Sequence, residues 1–260
     1  NINSFRQHIR AAHPAVPCDH PTQLIAVVKA SGYGANGPAL ARALEQLGMS
    51  YLAVACTEEG IELRRHGISM PIMVLNPDPS TFDALIAHRL EPELIGPAHF
   101  QAFCKVAEHV APWPVHLKID TGMHRVGFTL DEMDDLAREL NVDRCSVRAE
   151  TVLSHLAAAD EASADEFTQL QFSRFIDASN ALRSSTTREQ HPLGRHVLNS
   201  AGIARFPEFA LEYARLGIGM FGGSHGMGKL LLSPAISFET TISQTRRIPG
   251  GEGVGYGAMD

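Results

Sequence analysis

From Leu24 to about residue 222, short apolar runs alternate with stretches whose apolar positions recur every three or four residues. The runs are rich in β-branched residues, as strands of a covered parallel sheet are. The first is Leu24-Ile25-Ala26-Val27-Val28, apolar on both faces. The others are Tyr51 to Cys56, Pro71 to Leu75, Glu93 to Gly96, Val115 to Ile119, Val147 to Leu156, His196 to Leu198 and Leu211 to Phe221. Helical spacing predicts helices through Leu40, Ala43, Leu44 and Leu47, through Phe82, Leu85 and Ile86, and through Phe100, Phe103, Cys104 and Ala107. Two more are predicted over Leu130 to Leu140 and Asp165 to Leu182. Gly48 ends the first helix, and Thr57 predicts the cap of another with Glu58 and Glu59 in its first turn.

Eight strand–helix units with short connections predict an α/β fold, a (β/α)8 TIM-type barrel over residues 1–222. An open doubly wound sheet is the rival, and the number of units favours the barrel. Beyond residue 222 the pattern changes. Phe238, Thr240, Ile242 and Gln244 alternate with no helix between them. That predicts antiparallel strands, the beginning of an all-β C-terminal domain over 223–260, truncated at Asp260.

Composition narrows the partners. The 260 residues are 44% hydrophobic and 20% charged, with a formal charge of -7. The negative balance argues against nucleic acid and anionic membrane, and no apolar stretch has the length of a membrane span. Asn1 to Arg10 lacks the apolar core of a signal peptide. Cys18, Cys56, Cys104 and Cys145 are far apart, which fits reduced thiols in the cytoplasm, with Cys56 and Cys104 as core fillers. The 13 histidines show no metal-ligand spacing.

In a barrel the reactive groups sit at the C-terminal ends of strands. Lys29 ends the first apolar run, ahead of Ser31-Gly32-Tyr33-Gly34. A lysine there is expected to be poorly solvated, which lowers its pKa and frees its amine for Schiff-base chemistry; a lysine that snorkels to water is the plainer reading. Lys118 to Phe128 ends the fifth run, and His155, which alone reads as a core histidine, ends the sixth. Asn199 and Ser200 follow the seventh, either as a helix cap or as an anion site. Arg215, Gly217, Ile218 and Gly219 lie on or after the eighth; the glycines serve packing or let backbone amides approach the same anion. Lys118 has Asp120 or a neighbouring acid as possible partners.

These segments, in this order, resemble the alanine racemases, pyridoxal-phosphate enzymes with an N-terminal barrel and a C-terminal β domain. The matching segments are Val27 to Gly34, Lys118 to Phe128, Asn199 to Pro207, Arg215 to Gly222 and Gly253-Val254-Gly255-Tyr256-Gly257. The resemblance implies a racemase interconverting L- and D-alanine for peptidoglycan. It implies that Lys29 holds pyridoxal 5'-phosphate and is one acid/base, and that Tyr256 is the other, entering the site of the second subunit of a homodimer. Tyr33, Asn199, Ser200, Gly217 and Ile218 would bind the cofactor. Arg125 would bind near the cofactor's ring oxygen or the substrate carboxylate, supported by Lys118 as a carbamate. Arg215 would face the pyridine nitrogen, and His155 would link it to Tyr256. The alternatives are a broad-specificity racemase, for example of serine, and a non-catalytic pyridoxal-phosphate-binding barrel.

Overall fold

A computed structural model describes residues 1–13, 21–110, 112–142, 145–185, 193–223, 228 and 230–258. The eight expected strands are all there: β1 (Gln23–Val27), β2 (Tyr51–Val54), β3 (Ile72–Val74), β4 (Glu91–Leu94), β5 (Trp113–Lys118), β6 (Val147–Leu153), β7 (Gly194–His196) and β8 (Tyr213–Leu216). Every ladder is parallel, and the strands run in the order β7-β6-β5-β4-β3-β2-β1-β8. The seam between β7 and β8 is closed by Arg215 N donating to Leu198 O at 3.0 Å and by the Arg195 guanidinium on Glu212. This is the expected (β/α)8 barrel rather than an open sheet.

The helices are α1 (Ile2–Ala12), α2 (Gly37–Gln46), α3 (Thr57–Arg65), α4 (Phe82–Ala87), α5 (Pro97–Val106), α6 (Met133–Leu140), α7 (Asp165–Ser185) and α8 (Ser200–Arg205). The main core lies between them and the outer faces of the strands, where Leu24, Ala26, Val28, Leu52, Val54, Val115 and Leu117 are buried. The residues between those positions face the barrel interior. Ile25, Val27, Ala53 and Met73 form a small apolar cluster on the β1–β3 side. The β4–β8 side is polar, with Glu93, His116, Lys118, Thr151, His196 and Arg215 all buried. Such a polar set requires hydrogen-bond partners for every group.

Residues 237–247 form no strand here: an alternating segment needs a neighbour for its ladder, and none pairs with it among the described residues. Two expectations need correction. The cap of α3 is Cys56 rather than Thr57, whose hydroxyl instead meets Thr81 Oγ1 at 2.7 Å. Cys56 is accordingly exposed, not a core filler, while Cys104 is half-buried. Cys18 lies outside the described residues.

Candidate active site

The barrel residues expected to carry chemistry gather at the C-terminal ends of the strands. After Val28 donates to Ala53 O at 2.8 Å, the chain enters a left-handed turn. Its φ values are 52° at Ala30, 50° at Ser31, 68° at Gly32, 57° at Tyr33 and 84° at Gly34. For a residue with a Cβ this costs about 1–2 kcal/mol. Glu59, one turn into α3, offsets the cost: its carboxylate accepts from Ala30 N at 2.6 Å, Ser31 N at 3.4 Å and Ala55 N at 2.8 Å. The sequence suggests only a helix-dipole role for Glu59. Glycine is needed at 32, where a Cβ would meet Leu40 Cδ2 at 2.9 Å. Lys29, at the head of this turn, is exposed rather than buried. The expected desolvation of its amine is therefore not realised within this chain.

A second group of residues forms a polar cradle. Ser200 Oγ accepts from the amides of Gly217 at 3.0 Å and Gly219 at 3.2 Å. A Cβ on Gly217 would lie 2.5 Å from Tyr33 Oη, and one on Gly219 would lie 2.6 Å from the Phe5 ring. The glycines are thus the condition for both close approaches. Tyr33, Ser200 and Gly217 are brought together, and Ile218 opens the following turn half-exposed. Asn199 takes its plainer role: its Oδ1 caps α8 by accepting from Gly202 N at 2.8 Å.

The segment after β5 is clipped back onto the strand. Phe128 N donates to Lys118 O at 2.7 Å, and Asp120 N donates to Phe128 O at 2.9 Å. Asp120 Oδ1 accepts from Gly122 N and His124 N at 2.9 and 3.0 Å. Burial works against that carboxylate, yet the two amides hold its pKa below the usual range. Arg125 stands exposed on this loop. Lys118 is buried and donates to Glu93 Oε1 at 3.1 Å, so its partner is the neighbouring acid rather than Asp120. Burial lowers its pKa against the pull of Glu93. The charges of Arg215 and Arg125 lower it further.

Arg215 is the most connected group in the barrel. Nη1 donates to His196 Nδ1 at 2.6 Å and His196 O at 3.2 Å; Nη2 donates to Ser154 O at 2.6 Å, Val197 O at 3.1 Å and His155 Nδ1 at 3.3 Å. Burial pulls its pKa down to about 10, so it stays charged near neutrality. His155 is pushed down to about 2, first by burial and then by the charges of Arg215, Lys118, Arg125 and Lys29. Of these four, Arg215 is in contact with the imidazole, Nη2 lying 3.3 Å from Nδ1. Because Nδ1 accepts from Arg215, the ring hydrogen of His155 is on Nε2.

Tyr256 is not brought to this cluster. Its side chain is 102% exposed and makes no hydrogen bond among the described residues. The residues that sequence reasoning overlooks are Glu59, Glu93 and His196. Glu93 and His196 carry a signal, a polar residue in an otherwise apolar run. Their partners become visible only once neighbouring strands are in register, as with Glu93 opposite His116.

The chain is similar to alanine racemases. Residues 1–225 match the family model "Alanine racemase, N-terminal domain". The alanine racemase of Symbiobacterium thermophilum is 36% identical over 99% of this chain and 67% of that protein. The alanine racemase of Synechocystis sp. is 33% identical over the same shares. Among solved structures, the alanine racemase of Clostridium difficile 630 superposes with a TM-score of 0.80 at 28% identity, covering 99% of this chain and 67% of that one. The enzyme from D-cycloserine-producing Streptomyces lavendulae gives 0.81 at 26% identity, over 99% and 68%. The chain thus spans about two thirds of the length of these relatives.

Proposed function

The chain belongs to the alanine racemase family, and from that premise we propose that this protein interconverts L- and D-alanine on pyridoxal 5'-phosphate. Bound at this site, the cofactor supplies an electron sink that acidifies the α-hydrogen of an amino acid. The residues present fit such a group. Ser200 Oγ and the amides of Gly217 and Gly219 converge as a cradle for its phosphate. Tyr33 reaches the rim, in space that any Cβ at 217 would close. Ile218 and Asn199 flank the cradle. Lys29 is the amine to hold the cofactor covalently.

Racemisation removes the α-proton from one face and returns it to the other. In this reading Lys29 Nζ serves one face and Tyr256 Oη the other. Arg125 takes the substrate carboxylate by charge-assisted hydrogen bonds. Arg215 faces the cofactor's ring nitrogen with a guanidinium that does not readily give up a proton. Among the described residues its Nε makes no hydrogen bond, which leaves one donor for that purpose. His155 presents Nε2–H toward Tyr256 Oη.

The full exposure of Tyr256 is consistent with a homodimer in which each tail serves the other subunit. Residues 223–260 would then be the beginning of a β domain that gains its ladder from further strands. We assign the D-alanine to peptidoglycan synthesis in the cytoplasm, as the family resemblance implies.

The observation that carries this reading is the convergence at the strand ends of Tyr33, Ser200 Oγ and the Gly217 and Gly219 amides, with the Arg215 guanidinium on His155 Nδ1 at 3.3 Å. It suits an anionic amino-acid substrate and an anionic cofactor. The test is D-alanine formed from L-alanine by the cofactor-loaded protein beside its Lys29→Ala variant. Racemisation is expected in the first and a loss of at least roughly a thousandfold in the second. Cofactor binding without any racemisation would instead favour the non-catalytic barrel.

A further inference from the structure

The polar side of the barrel interior holds a hydrogen-bonded run that extends far beyond Arg215. Arg215 Nη1 lies 2.6 Å from His196 Nδ1. His196 Nε2 lies 2.9 Å from Thr151 Oγ1. Thr151 Oγ1 lies 2.7 Å from His116 Nδ1. His116 Nε2 lies 3.1 Å from Glu91 Oε2, which also accepts from Tyr51 Oη at 3.0 Å. Glu91 and Tyr51 are the first residues of β4 and β2, so they sit at the N-terminal mouth of the barrel. Arg215 is near the opposite mouth. His116, Thr151 and His196 are at most 1% exposed, so no water relieves a mismatched link.

The two ends fix the direction of every hydrogen between them. A guanidinium only donates, so His196 Nδ1 must accept. Neutral His196 therefore carries its hydrogen on Nε2 and donates it to Thr151 Oγ1. The Thr151 hydroxyl has one hydrogen, and among the described residues its only other hydrogen-bond contact is His116 Nδ1. A hydrogen on that Nδ1 would leave the buried hydroxyl hydrogen without an acceptor. His116 thus accepts at Nδ1 and donates from Nε2 to the Glu91 carboxylate. All four links point from Arg215 to Glu91, and dipoles aligned in one sense reinforce one another.

We propose that Glu91, His116 and Thr151 are positioning residues that, through His196, fix the Arg215 guanidinium from the far mouth of the barrel. The proposal rests on the reading in which Arg215 meets the cofactor. Its chemical consequence is a fixed donor pattern at Arg215. With both η groups tied to acceptors, the guanidinium plane is held against rotation. None of these residues touches a reacting atom. Their effect is expected in turnover more than in substrate binding.

The first test needs no substitution. ¹⁵N spectra of the imidazoles in the folded protein should show His116 and His196 both bare at Nδ1 and protonated at Nε2. A hydrogen on Nδ1 of His116 would overturn the chain. The second test uses the cofactor-loaded protein and L-alanine. Thr151→Val, close in shape but without the hydroxyl, should lower kcat about tenfold with KM little changed. Thr151→Ser should restore kcat to within about twofold. Glu91→Leu, at the partly solvated end, provides the same test should the buried valine prevent folding, with a fall of several-fold in kcat. An unchanged kcat in both Thr151→Val and Glu91→Leu, or an equal loss in Thr151→Val and Thr151→Ser, would overturn the proposal. No racemisation by the unaltered protein would defeat the parent reading instead, whatever the nitrogen shifts.

Discussion

The barrel and the segment after it contribute to one proposed reaction in opposite ways. In the barrel, three polar groups near the site are each held by several others: Arg215 by five acceptors, Glu59 by three amides, Ser200 by two. In the tail, Phe238 is 96% exposed, Ile242 is 75% exposed and Tyr256 is fully exposed. Both regions have orderly sequence patterns, yet only one has regular structure. The difference lies in partners. Each barrel strand finds neighbours within 222 residues of its own chain, and a ladder forms. The tail states an equally clear preference for extended backbone, but a strand becomes one only when another strand takes up its hydrogen bonds.

The strongest way to break this contrast is to remove a hub. Arg215→Leu leaves His196, His155 and three carbonyls without their donor. It should destabilise the barrel by about 3–5 kcal/mol, read as a shifted urea midpoint. A change below about 1 kcal/mol would mean that the interior network is not structurally important.

Acid gives a smaller, graded effect. His155 is held near pKa 2 in the folded chain, and burial with the charge of Arg215 lowers His196 as well. An unfolded histidine titrates near ~6.5. Below that pH the unfolded chain binds protons that the folded chain refuses, so stability falls as pH falls. Each such histidine contributes up to about 1.4 kcal/mol per pH unit below ~6.5 and nothing above it. His155→Gln, which keeps an acceptor for Arg215, should flatten the dependence of Tm on pH between 6 and 4. An unchanged slope would show that His155 is not held neutral.

The smallest effect is expected in the tail. Phe238→Ser should move Tm by no more than the equivalent of about 0.5 kcal/mol, because an exposed ring buries nothing. A larger loss, measured at several protein concentrations, would show that the tail is packed after all, and a concentration dependence would point to the second subunit.

These contrasts also explain what the sequence revealed. Strands β1 to β3 were legible because they are apolar on both faces, and the later strands mainly because their outward-facing positions are apolar. Their ends were less so: Leu211 to Phe221 reads as one strand, yet β8 stops at Leu216 because Gly217 turns its amide to Ser200. Helix α1 carried no expectation, although its Phe5 packs on Gly219 beside the cradle. Lys29, Tyr33, Ser200 and Arg215 could be picked out by their positions at strand ends. Glu59 could not, since its bonds to Ala30 and Ser31 span 29 and 28 residues and depend on a left-handed turn that no spacing announces. The interior pairs were hidden for a related reason. Glu91 and Glu93, like His116 and Lys118, share one face at period two, but their partners are set by strand register.

The most direct test of the central claim, one base on the barrel and one on the tail, is solvent-deuterium exchange at Cα. The cofactor-loaded protein and its Tyr256→Phe variant would be given L-alanine and D-alanine separately. The account predicts that the variant keeps near-normal exchange from one enantiomer and loses about 10²–10⁴-fold from the other. Equal exchange from both, whether retained or lost, would contradict it.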